Sequence, residues 1–269
     1  MRILIIADVH NNSCIHKLKR RRDTLKFVKK AIDDNPCDLI VFLGDTVHGP
    51  DFKFGCKSYE KRLREVLDLT GNTPFATVFG NHDDECSVTK EEILKVVESY
   101  PNALTDGRNY VVRMMGETLL FIDSGSYYDG EESCYDTVKE DTINWAKSEI
   151  EGTRAILFQH IIMPDINDFI ENDEKTGEVK FKDGVEYTGR LDESPCPPNI
   201  NTGELETLAP CLKAAVFGHD HVNDFELDIM GVRFIQCAGA GFNSYESVRR
   251  AEYRLLDTKT LETKRICYK

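Results

Sequence analysis

Long apolar runs and internal repeats are missing from this sequence of 269 residues. No apolar stretch approaches the roughly 18 residues that a membrane-spanning helix requires, so we expect no membrane span and no membrane partner. The apolar segment at residues 2–7 is too short for the hydrophobic part of a secretory signal, so we expect no targeting segment. Low-complexity tracts are also absent, which argues for a folded globular protein.

Paired cysteine motifs are the second absence. The chain has nine cysteines, and none belongs to a Cys-x-x-Cys pair. The missing pairs exclude a zinc-ribbon framework, and the odd number argues against a complete set of disulfides. Because free thiols are typical of a reducing compartment, the composition indicates a cytoplasmic location.

Positive charge is scarce, with 34 basic against 47 acidic residues and a formal net charge of −13. Such a field repels nucleic acid and anionic membranes, so we expect no nucleic-acid partner and disfavour a nuclease acting on long DNA. The basic cluster at residues 17–22 (KLKRRR) is the exception, and is either a local anion-binding patch or a solvated helix start. A phosphorylated substrate stays compatible, because bound dications would invert the local potential.

The length suits one large α/β domain, although two small domains would also fit, and we predict a single domain over residues 1–269. Short β-branched and aromatic runs, typical of strands buried on both faces, recur at residues 2–7, 38–44, 74–80, 154–160 and 214–219. Helical patterns separate them, including an apolar face from Leu25 to Ile32 and a capping box from Thr89 to Glu92. This alternation indicates βαβ units.

Other apolar runs are joined by short turns, at residues 109–123, 223–237 and 253–268, and these predict antiparallel hairpins. The whole pattern predicts two sheets packed together with helices on their outer faces. The segment at about residues 164–210 has weak periodicity and many Asp, Glu, Gly and Asn residues. We expect it to be a long excursion over the active face without a core of its own.

Potential metal ligands follow all five buried strands, where open α/β sheets place their ligands. In chain order they are Asp8 and His10, Asp45, Asn81 and His82, His160, and His219 and His221. A single such residue means little. Potential ligands at the same position relative to each of five strands are together a strong signal. Five of the seven histidines belong to this set, whereas His16 and His48 lack this support.

This mixture of donors suits a pair of metal ions. Two divalent ions roughly 3.5 to 4 Å apart share a bridging carboxylate and hold an in-line displacement, with hydroxide as the nucleophile. Carboxylate, imidazole and amide donors together favour manganese, iron or zinc. Asp8 and His10 are two residues apart, so on an extended chain both side chains would point the same way, as would those of His219 and His221.

The candidates stand in five short motifs, which are Asp8-Val9-His10, Gly44-Asp45, Gly80-Asn81-His82-Asp83, His160 and Gly218-His219-Asp220-His221. Their set and order resemble the calcineurin-like metallophosphoesterases, and the match spans residues 1 to about 225. The resemblance implies an α/β fold, a four-layer α/β/β/α sandwich with two mixed sheets. It also implies a dinuclear centre at the strand ends.

The resemblance further implies a role for each residue. Asp8, His10 and His221 would hold the first ion, Asn81, His160 and His219 the second, and Asp45 would bridge them. Asn81 and His82 would contact the substrate. His82 would bind a phosphoryl oxygen or protonate the leaving alkoxide, which needs a proton or strong charge stabilisation, and Asp83 would orient it.

A finer similarity lies in residues 79–85 (FGNHDDE) and 218–225 (GHDHVNDF). These segments resemble small phosphatases related to purple acid phosphatases, including the yeast dosage-dependent cell-cycle regulator group. The chain departs from true purple acid phosphatases at His10, where they have glycine, and at His48, where they have the iron-binding tyrosine. We therefore expect no purple iron-phenolate absorption band.

Several residues beside these motifs are open to two interpretations. Tyr127 and Tyr128 either flank the phosphate or cover a loop. Arg190 and Arg249 are conceivable phosphate clamps, since guanidinium groups match phosphate geometry, but the sequence places neither.

The expected activity is hydrolysis of phosphomonoesters, in a small molecule or a phosphoprotein. A phosphodiesterase acting on a nucleotide or lipid-like diester stays open, because the same ions serve both reactions. A non-catalytic scaffold is the other alternative, although such a protein is expected to have lost ligands and none is lost here. The sequence identifies no protein partner.

Overall fold

The computed structural model describes residues 1–52, 56–128, 134–173, 177–243 and 251–268. Its strands are β1 (Arg2–Ile6), β2 (Leu39–Leu43), β3 (Phe75–Val78), β4 (Tyr110–Met114), β5 (Glu117–Phe121), β6 (Ala155–Phe158), β7 (Ile170–Asn172), β8 (Val179–Phe181), β9 (Tyr187–Arg190), β10 (Leu212–Phe217), β11 (Asp224–Ile229), β12 (Val232–Gln236), β13 (Glu252–Asp257) and β14 (Thr263–Cys267). Its α-helices are α1 (Leu18–Asp34), α2 (Cys56–Leu67), α3 (Lys90–Glu98), α4 (Glu140–Ile150) and α5 (Glu204–Leu208).

Two mixed sheets organise the described residues. The first has the order β14-β13-β1-β2-β3. Strands β1, β2 and β3 are parallel to one another, and β13 runs antiparallel to both of its neighbours, β1 and β14. The second has the order β4-β5-β6-β10-β12-β11-β9, with β5, β6, β10 and β12 parallel. The pairs β4–β5, β11–β12 and β13–β14 are the three hairpins that the sequence predicts, so those predictions are confirmed.

Three apolar cores separate four layers. Strand β1 shows why its sequence is continuously apolar: Ile3 and Ile5 enter the core between the sheets, while Leu4 and Ile6 enter the core under α1, α2 and α3. A third core lies between the second sheet and the helices α4 and α5. The predicted four-layer α/β/β/α sandwich with two mixed sheets is therefore confirmed.

Helices α1 and α3 form where the sequence predicts them. Helix α1 buries Phe27, Val28 and Ala31 on its apolar face. The capping box at α3 is confirmed, since Thr89 Oγ1 accepts from the Glu92 amide at 3.2 Å and the Glu92 carboxylate accepts from the Thr89 amide at 2.9 Å. The basic cluster at residues 17–22 begins at the last residue of a 3-10 turn and continues into the first turns of α1.

The predicted excursion contains a 3-10 helix (Pro164–Phe169), the β7–β8 hairpin, β9 and α5. Strand β9 pairs antiparallel with β11 and forms an edge of the second sheet. The buried residues of the excursion, Ile166, Phe181 and Leu205, belong to the core that also contains residues of α4. The assignment of one domain to the whole chain stays a prediction. No helix among the described ranges is long and apolar enough to cross a bilayer.

Glu204, in α5, is a buried carboxyl group whose ionisation should set the pH dependence of stability. It is 4% exposed, and its Oε1 atom makes no hydrogen bond within the described chain. Burial, assisted by the charge of Asp165, outweighs a hydrogen bond from Gln159 and raises the pKa of Glu204 from 4.5 to about 8. The unfolded chain ionises near the lower value, so unfolding releases a proton between these two pH values and stability falls as pH rises.

We therefore expect Glu204→Gln to raise the free energy of unfolding at pH 8 by an amount on the order of a few kcal/mol, and to change it little at pH 5. Urea unfolding at the two pH values measures the difference. Glu206→Gln is the matched control, because Glu206 is exposed on the same helix. Equal effects of the Glu204 change at both pH values would contradict the assignment.

Candidate metal centre

The candidate residues meet at the carboxyl ends of β1, β2, β3, β6 and β10. Each lies within four residues of the end of its strand, so the parallel strands deliver all the side chains to one edge of the sandwich. Five of them are at most 1% exposed, namely Asp8, His10, Asp45, Asn81 and His160.

Two carboxylate oxygens stand at the middle of the cluster. Asp8 Oδ1 lies 3.3 Å from His221 Nε2 and 3.7 Å from His10 Nε2. Asp45 Oδ2 lies 3.3 Å from His160 Nε2 and 3.6 Å from His10 Nε2. The donor atoms of Asp8, His10, Asp45 and His221 all lie within 4.8 Å of one another, a spacing at which one ion reaches them.

Several buried donor atoms of the cluster lack a hydrogen-bond partner. Within the described residues they include Asp8 Oδ1, Asp45 Oδ2, Asn81 Oδ1 and His160 Nε2. Burying such atoms without a partner is costly, and a divalent ion coordinated by them removes that cost. The donors are carboxylate, amide and imidazole, which suit manganese, iron or zinc. The residues present therefore fit a metal centre.

The electrostatics keep the carboxylates ionised. Burial raises the pKa of Asp45, but the charge of His160 and other imidazoles outweighs it and holds the pKa well below its usual range. Burial lowers the pKa of His10 to about 4 and that of His219 to about 3, so both rings are neutral at pH 7, as ligands must be. Burial opposes protonation of His160, yet Asp45 and Asp8 raise its pKa to about 10, which shows how negative the centre is.

The backbone holds the ligands in an uncommon conformation. Asp8, His10, Asp45 and His219 have positive φ angles of 51°, 46°, 47° and 73°. The expectation that these short motifs are extended is therefore wrong, although the side chains do converge. Non-glycine residues pay a steric cost there, and such strained residues cluster at functional sites.

Glycines and hydrogen bonds fix the orientation of the ligands. A Cβ atom at Gly44, whose φ is +84°, would collide with the His160 ring, and one at Gly80 would collide with the Asp45 side chain. His160 Nδ1 donates to the Leu43 carbonyl at 2.8 Å, so its Nε2 atom is left to face the carboxylates. The amide of His219 donates to Asp8 Oδ2 at 3.0 Å.

His82 lies at the rim of the centre, partly buried, with Nε2 3.9 Å from Asp45 Oδ2. Its Nδ1 atom contacts the Glu85 carboxylate. Burial lowers the pKa of His82, but the charges of Asp45 and Glu85 outweigh it and raise that pKa to about 9. At neutral pH the ring of the metal-free protein is therefore protonated on both nitrogens.

The prediction that Asp83 orients His82 is corrected by these contacts. The Asp83 carboxylate accepts from the Gly80 amide at 2.8 Å and from the Tyr59 hydroxyl at 2.7 Å. It is buried and holds the 3-10 turn Asn81–Asp84 against α2. Glu85 occupies the place beside the imidazole.

Two further residues that the sequence left aside belong to the site. His48 Nδ1 lies 3.3 Å from His10 Nδ1, and the His48 ring centre is 5.3 Å from that of His82. Tyr135 packs the edge of its ring against His219 at 4.5 Å between ring centres. The signal for His48 was its position three residues after Asp45, but only the fold shows that the loop turns back to the centre.

The remaining candidates are placed as follows. The Tyr127 hydroxyl lies 3.2 Å from Asn81 Nδ2, whereas Tyr128 is 39% exposed. Arg190 is held by Glu252 at 2.8 Å and by the Val222 carbonyl at 3.0 Å, so its guanidinium is engaged in structural contacts. His16 is exposed in the 3-10 turn Ile15–Lys17, and Arg249 lies outside the described residues.

An acidic centre with histidines at the strand ends of a double sandwich defines a class of metal-dependent phosphoesterases. The chain belongs to the calcineurin-like phosphoesterase family, whose sequence model matches residues 1–223. It is 29% identical to probable inactive purple acid phosphatase 14 of Arabidopsis thaliana, over 84% of this chain and 64% of that protein. It is 25% identical to phosphatase DCR2 of Saccharomyces cerevisiae, over 89% of this chain and 47% of that protein. The chain thus spans 64% and 47% of the length of these two relatives.

Solved structures share the fold. A dimetal phosphatase from Danio rerio superposes with a TM-score of 0.64 at 14% identity, covering 100% of this chain and 99% of that one. The protein TT1561 of Thermus thermophilus superposes with a TM-score of 0.58 at 13% identity, covering 98% and 97%. These likenesses and the sequence relatives confirm the fold and the resemblance to purple acid phosphatase-like proteins.

Proposed function

We propose that the chain is a dinuclear metal-dependent phosphatase that hydrolyses phosphomonoesters. The observation that carries the proposal is the convergence of buried donor atoms without hydrogen-bond partners on Asp8, Asp45 and His160. Membership of a phosphoesterase family supports the same chemistry. The identity of the ions, manganese, iron or zinc, stays open.

The ligand assignment is the one that the family resemblance implies, and the distances between the two carboxylates and three of the imidazoles agree with it. Asp45 would be shared, because its Oδ2 atom lies between nitrogens of His10 and His160, at 3.6 and 3.3 Å. Asp8, His10 and His221 would complete one position, and Asn81, His160 and His219 the other. Bound there, the ions would lower the pKa of water to provide hydroxide and would neutralise the phosphate charge.

The chain's own residues would then bind and orient the ester. Asn81 and His82 lie in one 3-10 turn at the rim of the centre, from which we propose that they contact phosphoryl oxygens. The imidazole of His82 carries a proton on Nε2, the atom that faces Asp45 at 3.9 Å. We propose that this proton is donated to the leaving alkoxide, which is a poor leaving group without it.

The names of some relatives favour a second candidate. Probable inactive purple acid phosphatases 14 and 29 of Arabidopsis thaliana are described as probably inactive, so a non-catalytic binding protein is the alternative function. All seven candidate ligands are present here, which supports the catalytic proposal.

Activity measurements separate these possibilities. The protein is reconstituted with manganese, zinc or iron and incubated with a panel of phosphomonoesters and phosphodiesters. We expect turnover of monoesters that chelation abolishes. Preferred turnover of diesters would identify a phosphodiesterase, and ions bound without turnover of any ester would favour the binding protein.

Removal of the ions should lower thermal stability. A ligand at a hundredfold excess over its dissociation constant adds about 2.7 kcal/mol to the native state. A chain of this size shifts its Tm by about 2 to 4 °C per kcal/mol, so we expect chelation to lower the Tm by about 5 to 10 °C. Differential scanning fluorimetry with and without EDTA measures the shift. The Asp45→Asn variant, which should bind at most one ion, should show a smaller shift, and an equal shift in both proteins would contradict the assigned centre.

Other expectations from the sequence stay predictions. They are a cytoplasmic location, the lack of nucleic-acid and membrane partners, and the absence of a purple absorption band. Eight cysteines of the described residues are free thiols, which supports the location. Fractionation of the native cells and an absorption spectrum of the iron-loaded protein test these points.

A further inference from the structure

A short network of side chains connects His82 to Asn81 through two residues that the assigned machinery does not include. Glu85 uses both carboxylate oxygens: Oε2 contacts His82 Nδ1, and Oε1 accepts from the Tyr127 hydroxyl. The same hydroxyl lies 3.2 Å from Asn81 Nδ2. The network is therefore His82, Glu85, Tyr127 and Asn81 in sequence.

Glu85 determines which nitrogen of His82 serves the site. A carboxylate accepts a hydrogen bond from Nδ1–H, so Nδ1 is occupied and the ring is held with Nε2 towards the centre. That arrangement agrees with the 3.9 Å separation between His82 Nε2 and Asp45 Oδ2. Asp83 does not take this place, because its carboxylate is engaged with Tyr59 and Gly80.

Tyr127 determines which end of the Asn81 amide faces the centre. The Asn81 Nδ2 group donates to the tyrosine oxygen, and the tyrosine donates its own proton to Glu85. The opposite end of the amide, Oδ1, is buried and makes no hydrogen bond in the described part of the chain. Because an amide binds a cation through its oxygen, this orientation is the one that a metal ligand requires.

We infer that Glu85 and Tyr127 are positioning residues, with Glu85 orienting the proton donor His82 and Tyr127 orienting the metal ligand Asn81. The inference rests on the proposed function and assigns two separable roles within one hydrogen-bonded network. Glu85 acts on the leaving group, and Tyr127 acts on metal binding.

The role of Glu85 is tested with two substrates that differ in leaving group. Nitrophenolate leaves without a proton, whereas an alkoxide needs one. We expect Glu85→Gln to lower kcat for an alkyl phosphate by about 10- to 100-fold and kcat for p-nitrophenyl phosphate by less than about threefold. Asp84→Asn is the matched control, since Asp84 is the adjacent carboxylate and pairs with Lys90 instead. Equal losses on both substrates would overturn the role.

The role of Tyr127 is tested by metal binding. We expect Tyr127→Phe to lower the affinity for one of the two ions by about tenfold in calorimetric titration. Its effect on kcat should be the same for the two substrates. Tyr128→Phe, which removes a neighbouring hydroxyl from a more exposed ring, should leave both affinities unchanged. Unchanged metal affinity in Tyr127→Phe would overturn this half of the inference.

A spectroscopic measurement keeps the test independent of turnover. In the zinc-loaded protein, the imidazole Nδ1–H of His82 bound to a carboxylate should give a downfield proton resonance. That resonance should be lost in Glu85→Ala and in His82→Ala and kept in Asp84→Asn. If the protein hydrolyses no ester, the proposed function fails while this result still decides the geometry. A resonance that survives in Glu85→Ala would overturn the contact.

Discussion

Asp45→Asn should reduce phosphatase activity by a factor on the order of a thousand or more and should leave at most one ion bound per chain. Asp45 Oδ2, the oxygen proposed to be shared, lies 3.3 Å from His160 Nε2 and 3.6 Å from His10 Nε2. An amide carries no negative charge and would present either an oxygen or an NH₂ group at this point. Metal content by mass spectrometry and kcat on a phosphomonoester measure the two effects.

The control for this change is Asp228→Asn, because Asp228 is an exposed carboxylate that pairs with Arg233 on the hairpin β11–β12. We expect that variant to retain both ions and full activity. Two ions bound at wild-type affinity in Asp45→Asn would contradict the assignment of Asp45 as the shared ligand. Loss of both ions with an intact fold would strengthen it, since each position would then depend on the same carboxylate.

The strands could be predicted because their determinants are local. A run such as residues 2–6 (RILII) is apolar at successive positions, and the fold shows that its two faces enter different cores. The hairpins were equally accessible, since each joins two apolar runs through a short turn. By contrast, β9 (Tyr187–Arg190) is largely exposed and carries no apolar alternation. Its pairing with β11 is set by tertiary contacts, so the sequence pattern did not reveal it.

The ligand set could be predicted because strand ends converge, but the backbone at the ligands could not. The left-handed φ angles at Asp8 and Asp45 depend on loops that pack against one another across the sheet. His10 and Asn11 illustrate this, since their amides donate to the carbonyls of Asp45 and Thr46 at 2.9 and 3.0 Å. Such contacts between distant segments outweigh the local preference for an extended chain.

The partner predicted for His82 was wrong, and the reason is physical. Asn81–Asp84 forms a 3-10 turn, in which side chains three residues apart eclipse each other. His82 and Glu85 therefore lie on one side of the turn. Asp83 instead returns to the Gly80 amide as a capping residue. In the sequence FGNHDDE, Glu85 stands three residues after His82. A turn predicted at these residues would therefore have indicated Glu85 as the partner of His82.

His82→Ala should lower kcat for an alkyl phosphate by about 10²- to 10⁴-fold, with a much smaller loss for p-nitrophenyl phosphate. The imidazole is partly buried at the rim and its Nε2 atom lies 3.9 Å from Asp45 Oδ2, close enough to reach a departing oxygen beside the centre. Because His82 is not an assigned ligand, both ions should stay bound. Steady-state kinetics on the two esters and metal analysis of the same preparation measure these effects.

The control is His16→Ala, which removes an exposed histidine outside the cluster and should leave kinetics and metal content unchanged. Combining His82→Ala with Glu85→Gln separates the roles further. If Glu85 acts through the imidazole, the double variant should be no slower than His82→Ala alone, since there is no ring left to orient. Multiplicative losses would show that Glu85 contributes by another route. Loss of an ion in His82→Ala would instead make His82 a ligand, and the proton needed by the leaving alkoxide would then have to come from another group.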